Sequence, residues 1–332
     1  MLSTKLFKIG DFQTVEADKP IPHGEELLIK VSSCGICGSD IPRIYQHGTS
    51  NGKYPLTLGH EFGGTIVEVG NEANKNLIGK CGAVFPIIPC NKCEQCKQNY
   101  YAMCENYDYL GSRRDGGFSE YCLLPSKWNF IEAPKEIDEE AFALIEPATV
   151  AQHAVRTAGK CSSLLIFGAG PIGIMAARWA KIFGINNVIL VDIVDEKIDF
   201  ANKHGVKCVK DIPDTLFDSS IEGTGFGNAL GNAINHTKPH GTVVLLGNPA
   251  SDTQIKLSQH SNILRKELTI KGVWNSYYDE WKTTIEQISN NNLQVLDLIT
   301  HKSDLGNLPE LCRNIYNKNI SICKAIAKIV VQ

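Results

Sequence analysis

The sequence predicts an α/β protein of two domains, a β-rich, barrel-like body followed by a doubly wound parallel sheet. Three observations carry this: short strand-like runs punctuated by glycine fill the first half, strands alternate with helical periods from about Val150, and a glycine-rich turn joins the first of those strands to its helix. A chain of 332 residues, 43% hydrophobic and 21% charged, is long enough for two cores and too balanced in composition to be disordered.

The body is expected from "ELLIKVSSCGICGSD", "HEFGGTIVEVG", "GKCGAVFPI" and "GGFSEYCLLP". The sheet domain is expected from "SSLLIFGAG", "PIGIMAARWAKIFG", "NNVILVDI" and "DEKIDFANKHG", which alternate strand and helix. "GTVVLLG" (241–247) and "ELTIKGVW" (267–274) continue the sheet. The segment between Gly205 and Gly225 is compact, so a helix is expected to be reduced there, leaving the adenine edge of a bound nucleotide more exposed. The tail from about Leu293 reads as a short helix and a last strand, placing the domains at 1–149 with 288–332, and at 150–287.

A net charge of −3 without a Lys/Arg block argues against nucleic-acid and membrane-surface partners. The N-terminus has no apolar signal region, and the longest uncharged run, which includes Leu164 to Ala177, contains three glycines and a proline and is too short to span a bilayer. A cytoplasmic protein is expected. Twelve cysteines then call for a cause other than disulfides. Cys90, Cys93, Cys96 and Cys104 cluster in a polar, loop-like stretch, at a spacing that folds four thiolates around one tetrahedral zinc with no position left for water. A redox CxxC needs only two cysteines beside a βαβ unit, and an Fe–S cluster is the remaining alternative. Cys34, Cys81, Cys122, Cys161, Cys208, Cys312 and Cys323 are expected to be small buried hydrophobes.

Gly168, Gly170 and Gly173 form GxGxxG between an apolar strand and an amphipathic helix that opens with Pro171 and Ile172. The glycines serve a tight turn, backbone approach to a pyrophosphate and close helix-on-strand packing. Asp192 ends the next strand, where it can accept from a ribose hydroxyl and would repel a 2′-phosphate; Ile193 and Val194 supply no cation. NAD is expected rather than NADP. A dispersed third set, Cys37, Ser39, His60, Glu61 and Glu146, offers a thiolate, an imidazole and carboxylates for a zinc with an open position. Taken singly, His60 reads as a structural histidine and the two glutamates as surface carboxylates; the case for them rests on the three signals together.

The order CGxCGSD, GHE, CxxCxxCx7C, IEP and GxGxxG is similar to the zinc-dependent medium-chain dehydrogenase/reductase superfamily and covers nearly the whole chain. Within it, "CGICGSDIPRIYQHG", "YPLTLGHEFGG", "YDYLGSRRDGGFSEY" and "ILRKELTIKGVWN" look most like the galactitol-1-phosphate 5-dehydrogenase family. The resemblance implies a GroES-like catalytic domain, a Rossmann domain, two zincs per chain, a site in the cleft between domains, and oxidation of galactitol 1-phosphate to tagatose 6-phosphate with NAD. It implies Cys37, His60 and Glu146 as catalytic zinc ligands, with Glu61 either a ligand or a partner behind one, and Cys90, Cys93, Cys96 and Cys104 as the structural site. Ser39 is expected to take the hydroxyl proton. Many relatives continue that relay with a histidine where this chain has Pro42, so the proton must leave by water or another residue, with His47 a weak candidate. Arg43, Arg113 and Arg114 are the candidates for a substrate phosphate, each equally readable as half of an ion pair. An unphosphorylated polyol or threonine as substrate, and a non-catalytic NAD-binding protein, are the alternative functions. A homodimer or homotetramer is expected by analogy.

Overall fold

The computed structural model describes residues 1–249 and 251–330. Ala250 lies outside the described residues, as do Val331 and Gln332 at the end of the expected last strand. The chain forms two compact units, one of Met1–Glu146, Tyr277–Asn291 and Val295–Gln332, the other of Pro147–Ser276 and Asn292–Gln294. No helix among the described residues is long and apolar enough to cross a membrane.

The first unit is built on the strand Leu27–Gly35, whose one edge pairs antiparallel with Glu61–Val69. Its other edge is shared: the first half pairs with Tyr121–Leu124 and the second with the C-terminal strand Lys324–Lys328. Cys81–Val84 and Phe130–Glu132 extend the sheet beyond Glu61–Val69. Leu27, Ile29, Val31, Phe62, Ile66, Val84, Phe118 and Leu124 bury their side chains in one core. Each such burial contributes about 1.5–3 kcal/mol relative to exposure, which holds the strands that carry the site in register.

The chain returns to this unit at Tyr277, where the sequence reading placed the return at 288. Aromatic packing accounts for the difference. Tyr278 stacks on Trp128 at 4.9 Å, and Phe85 meets Tyr278 and Trp281 edge-on at 5.4 and 5.1 Å, so helix Tyr278–Ser289 is tied to the first unit by three ring contacts. The tail holds one strand more than expected: Ile299–Ser303 pairs parallel with Lys324–Lys328, with helix Leu308–Tyr316 between them. Its "ITHKS" is polar and partly exposed, which hides it from an apolar pattern.

The second unit is a six-stranded parallel sheet in the spatial order Cys208–Val209, Asn187–Val191, Ser163–Phe167, Phe217–Glu222, Thr237–Leu245, Thr269–Gly272. Numbered along the chain, that order is 3-2-1-4-5-6, the doubly wound arrangement that binds nucleotides beyond the carboxyl ends of its central strands. Ser163–Phe167 is buried throughout, as a central strand covered on both faces must be. The segment between Val209 and Phe217 is free of helix, matching its compact sequence. The strand at "GTVVLLG" begins earlier than its apolar run, at Thr237, because Thr237 and Ser220 satisfy each other's buried hydroxyls at 2.8 Å.

Candidate active site

Two groups of metal-binding side chains come together among the described residues. In the first, Cys90, Cys93, Cys96 and Cys104 place their sulfurs within 4.8 Å of one another. Cys90 and Cys96 sulfurs are 4.0 Å apart, and those of Cys93 and Cys104 3.9 Å. A tetrahedron of sulfurs about 2.3 Å from zinc has edges of roughly 3.8 Å, so the set fits that ion, whereas a disulfide requires about 2.05 Å. Asn91 and Asn99 adopt positive φ (56° and 64°), turning the backbone tightly enough to fold the sulfurs inward. Backbone N–H groups of Lys92 and Cys93 lower the Cys90 thiol to about 6, and those of Glu105 and Cys96 lower Cys93, both toward the ligating thiolate. Burial pushes Cys96 up to about 12, the opposite sign, and a cation among the four sulfurs would offset it.

The second group is Cys37, His60 and Glu61, again within 4.8 Å. Cys37 lies two residues beyond the end of strand Leu27–Gly35, and His60 immediately precedes strand Glu61–Val69, whose Glu61 pairs with Gly35. Strand register alone therefore brings residues 23 or more positions apart into one pocket. His60 Nδ1 is buried without a hydrogen-bond partner, 3.7 Å from Asp40 Oδ1. Burial, then Glu61 and Asp40, push the Cys37 thiol well above its ordinary value. Burial also raises Glu146 to about 7, with Glu61 adding and His60 and Lys324 opposing. A thiol, an imidazole and carboxylates crowded out of water form a donor set short of positive charge, and a zinc ion fits it.

Glu146 stands beside this set rather than in it, feeling the charges of His60, Glu61, Lys324 and Asp40. Ser39 is exposed and makes no capping bond at the helical turn Asp40–Pro42 that follows it; His47 is exposed at the end of Arg43–His47. The three arginines are held by different partners. Arg43 lies 3.4 Å from Asp40, Arg114 lies 3.4 Å from Asp108, and Arg113 donates to Tyr107 O at 2.6 Å while covering the Tyr107 ring at 4.2 Å. Of the seven cysteines expected to be buried, Cys34, Cys122, Cys208 and Cys312 are; Cys81, Cys161 and Cys323 are half-buried, set in strand ends and loops rather than in a core.

Two residues of the metal pocket escape sequence reasoning. Asp40, wholly buried, accepts from Cys37 N at 3.0 Å and faces both Arg43 and His60, holding the Cys37 backbone and setting a carboxylate beside the imidazole. Its place in CGSD was the available signal. Lys324 donates to Glu61 Oε2 and, at 3.1 Å, to Ile36 O, and both ionic side chains are nearly solvent-free. No sequence signal links partners 263 positions apart. Burial pulls the Lys324 ammonium down, but Glu61 and Cys37 outweigh it and hold it above its ordinary value.

In the second unit, Gly168 has φ +102°, and a Cβ on Gly173 would stand 1.9 Å from Gly168 O, so helix Pro171–Ile182 packs on the turn only because residue 173 is glycine. Gly170 caps that helix, Pro171 fills its first position, Ile172 follows, and a Cβ on Gly170 would point into open space. Asp192 accepts from Ala169 N at 2.8 Å and Val194 N at 3.0 Å, which fixes its carboxylate beside the turn. The turn and the helix N-terminus form a cradle fit for a pyrophosphate.

Residues 23–135 match the alcohol dehydrogenase GroES-like domain, and residues 171–290 the zinc-binding dehydrogenase family. The chain is 34% identical to galactitol 1-phosphate 5-dehydrogenase of Escherichia coli K12 over 315 residues, 89% of this chain and 90% of the relative. A crystal structure of galactitol-1-phosphate dehydrogenase from Escherichia coli matches with a TM-score of 0.92 at 32% identity, covering 99% of this chain and all of that one. An alcohol dehydrogenase of E. coli CFT073, crystallised with NADH, matches with a TM-score of 0.90 at 27% identity and 99% coverage of both chains. L-threonine 3-dehydrogenase of Cutibacterium acnes is 29% identical over 306 residues, 87% of this chain and 88% of that relative. With a GroES-like domain followed by a parallel nucleotide-binding sheet, and with both cysteine-bearing groups assembled, the chain belongs to the zinc-type medium-chain dehydrogenases and is an oxidoreductase.

Proposed function

We propose that the protein oxidises a polyol phosphate, galactitol 1-phosphate to tagatose 6-phosphate, with NAD as acceptor and two zinc ions per chain. The observation that carries the reading is the gathering of Cys37, His60 and Glu61 beside Glu146 in a chain similar along nine-tenths of its length to a galactitol 1-phosphate dehydrogenase. Cys37, His60 and a carboxylate of Glu61 or Glu146 would hold the catalytic zinc, and Cys90, Cys93, Cys96 and Cys104 the structural one. Zinc supplies Lewis acidity that lowers the pKa of an alcohol hydroxyl. Ser39, exposed two residues beyond Cys37, takes the hydroxyl proton and passes it to solvent, since Pro42 has no side-chain donor or acceptor. Asp40 orients His60 and the Cys37 backbone. Gly168, Gly170, Pro171, Ile172 and Gly173 seat the pyrophosphate and Asp192 accepts from the ribose, which favours NAD over its 2′-phosphate. Arg43, Arg113 and Arg114 are the cations available to a substrate phosphate.

The edge strand Thr269–Gly272, with Ile270 in it, is exposed along its length, and Trp274 is exposed just beyond it. Such an edge pairs with a second copy, giving a homodimer or homotetramer, and the enzyme works in the cytoplasm. The test is the initial rate of NAD reduction on galactitol 1-phosphate against galactitol, sorbitol and threonine. A large preference for the phosphate ester is expected; equal or faster turnover of an unphosphorylated alcohol overturns the substrate, and a single replacement of each arginine that leaves KM unchanged removes that arginine.

A further inference from the structure

Cys37, Glu61 and Glu146 crowd one buried pocket and would be three anions once a metal is bound, while Asp40 is matched by Arg43. A zinc dication would cancel two of those three charges. The third is cancelled by Lys324, whose ammonium is fixed by Glu61 Oε2 and by Ile36 O. The fold is built to admit it. Lys324 opens the strand that pairs with the end of Leu27–Gly35, with Ile326 opposite Gly35, while Glu61 pairs with Gly35 from the other side. A Cβ at position 35 would stand 2.2 Å from Glu61 Oε2 and 3.0 Å from Lys324 Cε, so glycine there is what lets the two charged groups meet across the strand.

Building on the catalytic zinc assignment above, we propose that Lys324 is a positioning residue of that site: its ammonium competes with the metal for the Glu61 carboxylate and keeps the filled pocket neutral. A metal drawing full charge from Cys37, Glu61 and Glu146 together would be a weaker electrophile and would have its open position taken by a carboxylate. With Glu61 engaged by Lys324, that position stays available to substrate. The carboxylate is left shared between two cations.

The test replaces the bound zinc by cobalt, whose visible absorption reports the ligand set, in the full-length enzyme and in Lys324→Met, Lys324→Arg, Glu61→Gln and the double variant Glu61→Gln/Lys324→Met. Lys324→Met is expected to change the cobalt spectrum toward a higher coordination number and to lower kcat about tenfold or more with KM for NAD unchanged, and Lys324→Arg to restore both. Because Lys324 acts through Glu61, the double variant is expected to match Glu61→Gln in spectrum. It contains no uncompensated buried charge, so it keeps the comparison possible if Lys324→Met alone does not fold. A Lys324→Met spectrum identical to the parent's, or a double variant that differs from Glu61→Gln, overturns the proposal. A parent that takes up only one metal per chain, unaltered by Cys37→Ser, overturns the catalytic zinc assignment itself and the proposal with it.

Discussion

Gly35 and Asp192 each show how much chemistry rests on one residue. Gly35→Ala would drive a methyl into the Glu61 carboxylate and to within 2.5 Å of the Ala143 carbonyl, a backbone atom that cannot step aside cheaply. Overpacking of this kind costs about 1–3 kcal/mol. The variant is therefore expected to unfold at lower denaturant and to retain less catalytic-site metal; unchanged metal content would show that the pocket relaxes around the methyl. Asp192→Ala is expected to raise KM for NAD about tenfold while improving NADP use, because the anion facing the ribose is gone. The ratio of kcat/KM for the two nucleotides decides it. Because Asp192 also accepts from Ala169 N and Val194 N, an equal loss with both nucleotides would mean that it serves the turn rather than the ribose.

At the scale of elements, the four-cysteine lobe is a loop whose own chain buries little. Its anchors include the sulfurs, the ring of Tyr100 against Tyr277 at 5.9 Å, and the ring of Tyr101, which meets Trp128 edge-on at 5.1 Å. A lobe of this size would hold its shape by a bound metal. Cys93→Ser is expected to lower bound zinc by one ion per chain, to open the lobe to proteolysis between Cys90 and Cys104, and to shift tryptophan emission as Tyr101 leaves Trp128. Full zinc content in that variant would rule out a metal on these sulfurs. The spacing of the four cysteines made this lobe legible in the sequence. Its docking ring, drawn from Phe85, Tyr101, Trp128 and Tyr278, follows no periodicity and was not.

For the whole molecule, acid stability turns partly on Asp218. It accepts from Ser162 N and Ser163 N at 2.8 and 2.9 Å and pairs with Lys238 at 2.8 Å, so it pins the start of a central strand. Lys238 first, opposed by partial burial and reinforced by the two amides, holds its carboxyl down to about 2, below its ordinary value near 4. A depressed folded value means stability that is complete above about pH 4 and lost as pH falls toward 2. The group is partly solvated, so the effect belongs at the low end for charged pairs. Asp218→Asn is expected to lower the urea midpoint at pH 7 and to flatten its decline between pH 4 and 2; parallel pH profiles for variant and parent would remove Asp218 from the acid response.

The sequence by itself determined the fold class, the six-stranded sheet's main strands, the cysteine lobe and the glycine turn, because each is written in contiguous residues at short fixed spacing. Periodicity, CxxC steps and GxGxxG are local, and local geometry follows from local sequence. The tertiary structure decided what depends on strand register: that Glu61 rather than Glu146 groups with Cys37 and His60, that helix Tyr278–Ser289 joins the first unit, and that the last strand delivers Lys324 to Glu61. A lone lysine near a C-terminus has no pattern to announce it. Only pairing of Lys324–Lys328 beside Leu27–Gly35 brings its ammonium out of water and against a carboxylate 263 positions away, where burial makes the charge matter.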